Sequence, residues 1–249
     1  MPELDATFWA VHSGLEREGP GDEASMSRAL AVMTGLPAAP RILDIGCGPG
    51  AQSLALAART HGTITAVDTH QDYLDALARA AAERGLAARI TPTKASMNAL
   101  PFEDGSFDLI WSEGAAYLMG FERAMAAWRR LLAPGGYLAV SEACWLRPLD
   151  QVSAGARESW AEYPAMTTRD GVLARVAAAG YRVLDQFVLP PSAWWNYYGP
   201  MEARIATLRQ ARAADPAFLE ALAAHQSEVD AYRRFGAEYS YLFVVAQAI

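Results

Sequence analysis

Asp44 and Asp68 flank a glycine run, Gly46-Cys47-Gly48-Pro49-Gly50, and of all residues in the chain these are the best placed to do chemistry. Glycines let backbone N–H groups approach a ligand with no Cβ in the way, and a helix N-terminus behind them adds partial positive charge. A carboxylate accepts two hydrogen bonds, so Asp68 could grip both hydroxyls of a ribose. From Gly46 to Asp68 is about the separation that a strand–helix–strand nucleotide-binding unit uses for this. Asp68 could also cap the helix that follows, which does not conflict. The elements that position these residues are legible around them. Ile42, Leu43 and Ile45 form a buried strand entering the loop; Leu54, Leu56 and Ala57 suit a helix leaving it.

A strand–loop–helix of this kind could hold a dinucleotide, a nucleoside triphosphate or S-adenosylmethionine. The dinucleotide fingerprint needs a third glycine where this chain has Ala51. The phosphate loop needs a Gly-Lys-Ser/Thr ending, which is missing, so no lysine is placed to reach phosphates. What remains is Asp-x-Gly-x-Gly-x-Gly with Pro49 before the last glycine. That pattern resembles motif I of the class I S-adenosylmethionine-dependent methyltransferases. The alternative is a tight turn that holds no ligand.

The 249 residues and 26.9 kDa are expected to form one domain, because α/β folds commonly reach this length undivided. No window approaches the roughly 18 apolar residues of a membrane helix, and the acidic start, Met1-Pro2-Glu3-Leu4-Asp5, is unlike a signal peptide. Cys47 and Cys144 read as reduced thiols of a cytoplasmic protein, and His12, His61, His70 and His225 lack metal-ligand spacing, so no metal is expected. A net charge of −7 and a pI near 5.1 argue against a nucleic-acid surface. A small-molecule substrate fits better.

Strand and helix signals alternate through the middle of the chain, which implies a mostly parallel, doubly wound sheet. The expected strands are Arg41–Ile45, Thr63–Asp68, Arg89–Lys94, Phe107–Ser112, Gly136–Ala143, Tyr181–Leu189 and Tyr239–Gln247, with Pro134-Gly135-Gly136 as a turn before the fifth. The expected layout is an N-terminal helical cap at 1–38, a core at 40–189 and 238–249, and a helical insert at 190–237. The insert opens on the aromatic knot Trp194-Trp195-Asn196-Tyr197-Tyr198, followed by two helices, the second starting at Asp215-Pro216.

The methyltransferase resemblance extends further. Leu100-Pro101-Phe102 with Asp104, Phe107 and Asp108, and Leu131-Leu132-Ala133-Pro134-Gly135-Gly136, resemble the ubiquinone/menaquinone-type (type 11) branch. Glu16 to Gly21, Trp111 to Ala115, Gly120 to Arg123, Trp145, Tyr163-Pro164 and Leu189 to Tyr198 are similar to a group of bacterial small-molecule methyltransferases of undefined substrate. The resemblance implies a Rossmann-like seven-stranded sheet whose last strand is antiparallel. It implies S-adenosylmethionine as cofactor, and S-adenosylhomocysteine as product, held by Asp44, Gly46, Cys47, Gly48, Gly50 and Gln52. Asp68 and Thr69 would meet the ribose, Ser96 and Met97 the adenine, and Ser112 the end of the fourth strand. One departure is plain: where this branch often carries Asp beside the adenine amine, the chain has Ala95-Ser96-Met97.

Methyl transfer is an in-line displacement that needs alignment above all. Glu113, just past the fourth strand, could act as base, hold a cationic amine, or simply serve as a loop acceptor. Tyr117 could present a hydroxyl or pack the core. His12, in an N-terminal helix with Trp9, could be a base or a structural histidine. Trp9, Arg17, Trp145, Tyr163, Trp195 and Tyr198 are the expected acceptor-side residues, with the N-terminal segment and the insert converging over the methyl position. Those rings could instead pack a core edge or a homodimer interface. The signatures of RNA cytosine and DNA amine methyltransferases are absent, and Cys47 and Cys144 are taken as unreactive. Alternatives are a protein that binds the cofactor without methyl transfer, or an enzyme using a modified sulfonium cofactor.

Overall fold

The computed structural model describes residues 6–249; the acidic start expected to exclude a signal peptide lies outside them. Two short helices come first, α1 (Ala6–His12) and α2 (Glu23–Ala31). Asp22 caps the second, its side chain accepting from the Ser25 amide at 2.6 Å. Then β1 (Arg41–Ile45), α3 (Ala51–Arg59), β2 (Thr63–Asp68), α4 (Gln71–Glu83), β3 (Ile90–Lys94) and β4 (Phe107–Glu113) alternate. A 3-10 turn at Ala116–Met119 leads to α5 (Phe121–Arg129) and the long β5 (Leu132–Trp145). The chain continues through α6 (Ala154–Ser159), β6 (Thr167–Thr168), α7 (Arg169–Ala178) and β7 (Tyr181–Val188). It ends with α8 (Pro191–Ala211), α9 (Pro216–Phe235) and β8 (Tyr239–Ala248).

The sheet runs β3-β2-β1-β4-β5-β8-β7, with β8 antiparallel to both its neighbours and the short β6 pairing with the end of β5. This is the Rossmann-like sheet the resemblance implied, with one small strand more. Strand order reverses between β1 and β4, and that reversal opens a crevice at the carboxyl ends of the strands. Register makes these ends level: Asp44 lies beside Ala66 and Trp111, and Glu113 beside Ser141. Asp44, Asp68 and Glu113 therefore share one rim.

Alternating side chains feed two cores. Ile42, Leu109, Trp111, Ala139 and Phe243 meet α2, α3, α4 and the insert. Leu43, Ile45, Ile110, Val140 and Val244 meet α5 and α7. In α4, Tyr73, Leu74, Leu77 and Ala81 recur at helical spacing and are all buried, which seats the helix on the sheet.

Two boundaries differ from expectation. β5 begins at Leu132, so Pro134-Gly135-Gly136 lies within it; pairing with β4 shifts register between Phe107 and Leu109 to accommodate the turn. The aromatic knot is not a prelude to the insert's helices but the first turns of α8, which carries Pro200 in its interior. Asp215 caps α9 as expected, accepting from the Phe218 amide at 3.1 Å.

Candidate functional site

The glycine loop is shaped by backbone geometry. Gly46, Gly48 and Gly50 have φ of 72°, 52° and 96°, a region side-chain-bearing residues rarely adopt. Space is equally tight: a Cβ on Gly46 would stand 2.5 Å from the Ala115 Cβ, and one on Gly50 2.3 Å from Leu77 Cδ1. The amides of Gly46 and Cys47 donate to the Val67 carbonyl at 2.9 and 3.0 Å, which ties the loop to β2. Gln52 Nε2 donates to the Cys47 carbonyl at 3.3 Å, and Ser112 Oγ to the Ile45 carbonyl at 2.9 Å. These two side chains brace the loop from within, a role their positions in sequence did not reveal.

Asp44 is fully buried at the end of β1. Ser53 Oγ donates to its Oδ2 at 2.5 Å, while Oδ1 has no partner among the described residues. Burial pushes this carboxyl up to about 7, with the Ser53 bond holding it lower than burial alone would. An orphaned buried acceptor beside a glycine cradle is what a bound polar ligand would satisfy. Asp68 accepts from the Gly48 amide at Oδ2 and the His70 amide at Oδ1, both at 3.0 Å. His70 Nδ1 also lies 3.3 Å from Oδ1, so Oδ2 is the oxygen that keeps a lone pair for a further donor. His70, with no side-chain cap bond, occupies the N-cap of α4, so Asp68 is a loop organiser rather than that cap.

Around this centre stand the adenine-side expectations. Met97 Cε lies 3.7 Å from where a Gly46 Cβ would be, so it borders the loop. Ser96 Oγ accepts from the Asn98 amide at 3.3 Å, and Thr69 Oγ1 lies 3.4 Å from His70 Nδ1. Trp9 packs edge-on to His70 at 5.2 Å and against Tyr73 at 5.5 Å, over the loop that follows Asp68. The Cys47 thiol is buried, and desolvation raises it well above its ordinary value; Cys144 is pushed up to about 12 for the same reason. Neither is a nucleophile at neutral pH.

The cap and the insert meet over the same rim. A Cβ on Gly48 would touch Glu18 Cγ at 3.6 Å, so the segment after α1 covers the glycine loop. Glu18 Oε2 lies 2.5 Å from His12 Nδ1, and His12 Nε2 lies 3.4 Å from His225 Nδ1 of α9. Phe8 stacks on the His12 ring at 4.0 Å. One backbone and one side-chain bond join the two regions: the Gly21 amide donates to the Ala193 carbonyl at 3.1 Å, and Asn196 Nδ2 to the Gly21 carbonyl at 3.1 Å.

Glu113 is held rather than free. Trp111 Nε1 donates to its Oε1 at 2.8 Å, and Arg17 Nη1 lies 3.9 Å from Oε2. Burial raises its pKa, and Arg17 and the indole bond oppose that rise. A Cβ on Gly21 would stand 2.3 Å from Glu113 Oε2, so the glycine lets the cap close on this carboxylate.

The acceptor-side expectations divide. Tyr117 contacts Tyr163, ring centroids 5.5 Å apart, and Tyr198 donates to Glu228 at 2.9 Å. Trp145 instead packs with Tyr239, and Trp195 lies under Arg233 and beside Tyr232, between the two insert helices. Trp194 stacks on Tyr232 at 4.4 Å and donates to Ser240, a core role. Missing from the sequence-derived set were Glu142, Glu228, Tyr197 and Tyr241. Glu142 had a signal: it is a carboxylate inside the apolar run of β5. It is 1% exposed, accepts from the Tyr163 hydroxyl at 2.6 Å, and is pushed up to about 7 by burial. Glu228 and Tyr241 had none, since only the tertiary fold brings Glu228 to Tyr198 and Tyr241 over Gly114.

Two shallow hollows, one at Leu36, Pro40 and His61 and one at Asp104, Pro134 and Ile249, lie at the amino ends of the parallel strands, opposite this site. Among the described residues no cluster could hold a metal ion, and no helix is long and apolar enough to cross a membrane.

With sheet order, glycine loop and paired acids in view, the class is defined. Residues 42–136 match the methyltransferase domain family, and the sheet carries the Rossmann-like fold of the class I S-adenosylmethionine-dependent methyltransferases. It is 26% identical over 178 residues to methyltransferase GfsG of Streptomyces halstedii, covering 66% of this chain and 64% of that protein. The chain spans less than two thirds of the length of the curated relatives it matches. In structure it resembles an S-adenosylmethionine-dependent methyltransferase from Geobacter sulfurreducens in complex with S-adenosylhomocysteine, with a TM-score of 0.85, 20% identity and 100% of each chain covered. It also resembles the [4+2]-cyclase SpnF, with a TM-score of 0.74 and 25% identity over 97% of this chain and 92% of that one.

Proposed function

We propose that this chain binds S-adenosylmethionine at the carboxyl ends of β1 and β2 and methylates a small-molecule acceptor. The orphaned Asp44 Oδ1 beside a loop of three left-handed glycines is the observation that carries this reading. Asp68 would take a ribose hydroxyl on the remaining lone pair of Oδ2, Thr69 would lie beside it, and Ser96 and Met97 would border the adenine. When bound, the cofactor supplies an electrophilic methyl group on a sulfonium.

The chain's own residues exclude water and place the acceptor. Glu18 fixes Nδ1 of His12, while Nε2 lies 3.4 Å from His225 Nδ1. Exchange of the His225 contact for an acceptor would make His12 a general base for acceptors that must lose a proton. Glu113, already engaged by Trp111 and Arg17, anchors the cap; Tyr117 offers a hydroxyl on the acceptor side. Tyr163 and Tyr198 would bear on the acceptor through Glu142 and Glu228, whereas Trp145 packs in the core against Tyr239 and Trp195 lies against Tyr232 of α9. The acidic charge favours small molecules over nucleic acid, and two buried thiols suit a reducing, cytoplasmic setting. Self-association into a homodimer would be read from solution mass.

Incubation with methyl-labelled S-adenosylmethionine and pooled metabolites tests the proposal. The expected result is S-adenosylhomocysteine release matched by label in one acceptor. Tight cofactor binding with no methyl transfer to any pool would overturn it, and the cyclase likeness makes that outcome worth measuring.

A further inference from the structure

A phenol buried in a protein usually finds a hydrogen-bond partner. Here Tyr137 accepts from the Gly35 amide at 2.9 Å, and Tyr181 donates to the Met125 carbonyl at 3.1 Å. Tyr241 on β8 is different. The residue is 7% exposed, and its hydroxyl has no partner among the described residues. Unlike Asp44 Oδ1, that hydroxyl is not fully enclosed. It stands 3.4 Å from where a Cβ on Gly114 would be, over the turn at the end of β4. Gly114 has a φ of 59° and its amide donates to Ser141 Oγ at 2.9 Å, so the turn is pinned and shows the hydroxyl a face with no side chain. The next residue, Ala115, places its Cβ 2.5 Å from where a Cβ on Gly46 would be. Consecutive residues, about 3.8 Å apart at Cα, thus meet the phenol on one side and the cofactor loop on the other. The Tyr241 ring packs on Trp194, centroids 5.3 Å apart, which holds the hydroxyl in place.

Sheet order says which part of a cofactor lies there. With the ribose at Asp68 on the end of β2, the remainder crosses the ends of β1 and reaches β4, where the strand order reverses. Burial holds the Tyr241 phenol well above its ordinary pKa, so it stays neutral and is no base. It offers oxygen lone pairs that no other group uses. The methyl group of a sulfonium shares its positive charge and donates C–H···O bonds, whereas the thioether left after transfer has neither that methyl nor the charge. We propose that the Tyr241 hydroxyl accepts from the sulfonium methyl group, which holds that group in line for transfer and selects the charged cofactor over its thioether product. This rests on S-adenosylmethionine occupying the glycine loop.

Calorimetry with S-adenosylmethionine and with S-adenosylhomocysteine, on the wild type and on Tyr241→Phe, tests it without any acceptor. Phenylalanine keeps the ring against Trp194 and removes a hydroxyl that no residue uses, so Tm should not fall. The expected result is a dissociation constant for S-adenosylmethionine raised about two- to fivefold, with that for S-adenosylhomocysteine unchanged. Tyr137→Phe, which loses a partnered hydroxyl away from the site, should lower Tm and leave both constants alone. A second readout is the methyl proton resonance of bound S-adenosylmethionine labelled with carbon-13 at that methyl, expected to move upfield in Tyr241→Phe. An equal change in both constants, no change in either, or an unmoved methyl resonance would overturn the proposal. Failure of the wild type to bind S-adenosylhomocysteine would instead strike the cofactor reading, so the two failures are distinguishable.

Discussion

Around the glycine loop, residues 44–53 and Asp68 supply the cradle from one stretch of chain and its next strand. Over β4 and β5, by contrast, the groups come from α1, the Glu18 segment, α8, α9 and β8, which meet only because the sheet and insert bring them together. The first region is defined by backbone: left-handed glycines, amides tied to Val67, and a buried acid. The second is defined by side chains whose positions depend on packing far from the chemistry. A backbone-built site keeps its identity across many acceptors, whereas a side-chain wall can be changed one residue at a time.

The contrast predicts which variants separate binding from turnover. His12→Gln should lower kcat by about two decades or more for an acceptor that must lose a proton, with the dissociation constant of S-adenosylhomocysteine unchanged. Steady-state kinetics beside calorimetry reads both, and a parallel loss of cofactor binding would merge the two regions. Asp68→Ala should do the converse. Losing a charged acceptor costs about 1.5–3 kcal/mol, or roughly one to two decades in S-adenosylhomocysteine affinity by calorimetry. An unchanged dissociation constant would remove Asp68 from the site.

A smaller effect sharpens the side-chain region. Glu142 is raised from 4.5 to about 7 by burial, so its ionisation is less favourable folded than unfolded. For a raised carboxyl the stabilising contribution is complete below the unfolded pKa and is lost as pH rises through the folded one. Unfolding free energy should therefore fall between about pH 4.5 and 7 on account of this group, by up to about 3 kcal/mol. Glu142→Gln keeps an acceptor for Tyr163 and should flatten that part of the profile, giving a more stable protein at pH 8. Urea titrations across pH measure it; an unaltered slope would show that Glu142 does not ionise in this window.

How much was legible follows the same division. Asp44, the glycines and Asp68 could be read because a local turn demands those residue types at fixed spacing. The strands of the core were legible to within a few residues because β-branched and apolar runs are bounded by glycine and proline. β5 was misjudged at its start since Leu132 joins the ladder ahead of the Pro134 turn, which a register shift absorbs. In the aromatic knot, ring density did not say which rings face inward. Helical geometry sends Trp194 into the core, Trp195 outward beneath Arg233 and Tyr198 to Glu228. Glu228 itself sits on a polar helix with nothing local to mark it.

The central claim is that the glycine loop holds an adenosyl sulfonium cofactor and not a dinucleotide, and thermal unfolding with added ligand tests it most directly. At about one hundred times its dissociation constant, S-adenosylhomocysteine should add about 2.7 kcal/mol of stability and raise Tm by several degrees, while NAD leaves Tm where it was. Stabilisation by NAD with none from S-adenosylhomocysteine would contradict the account.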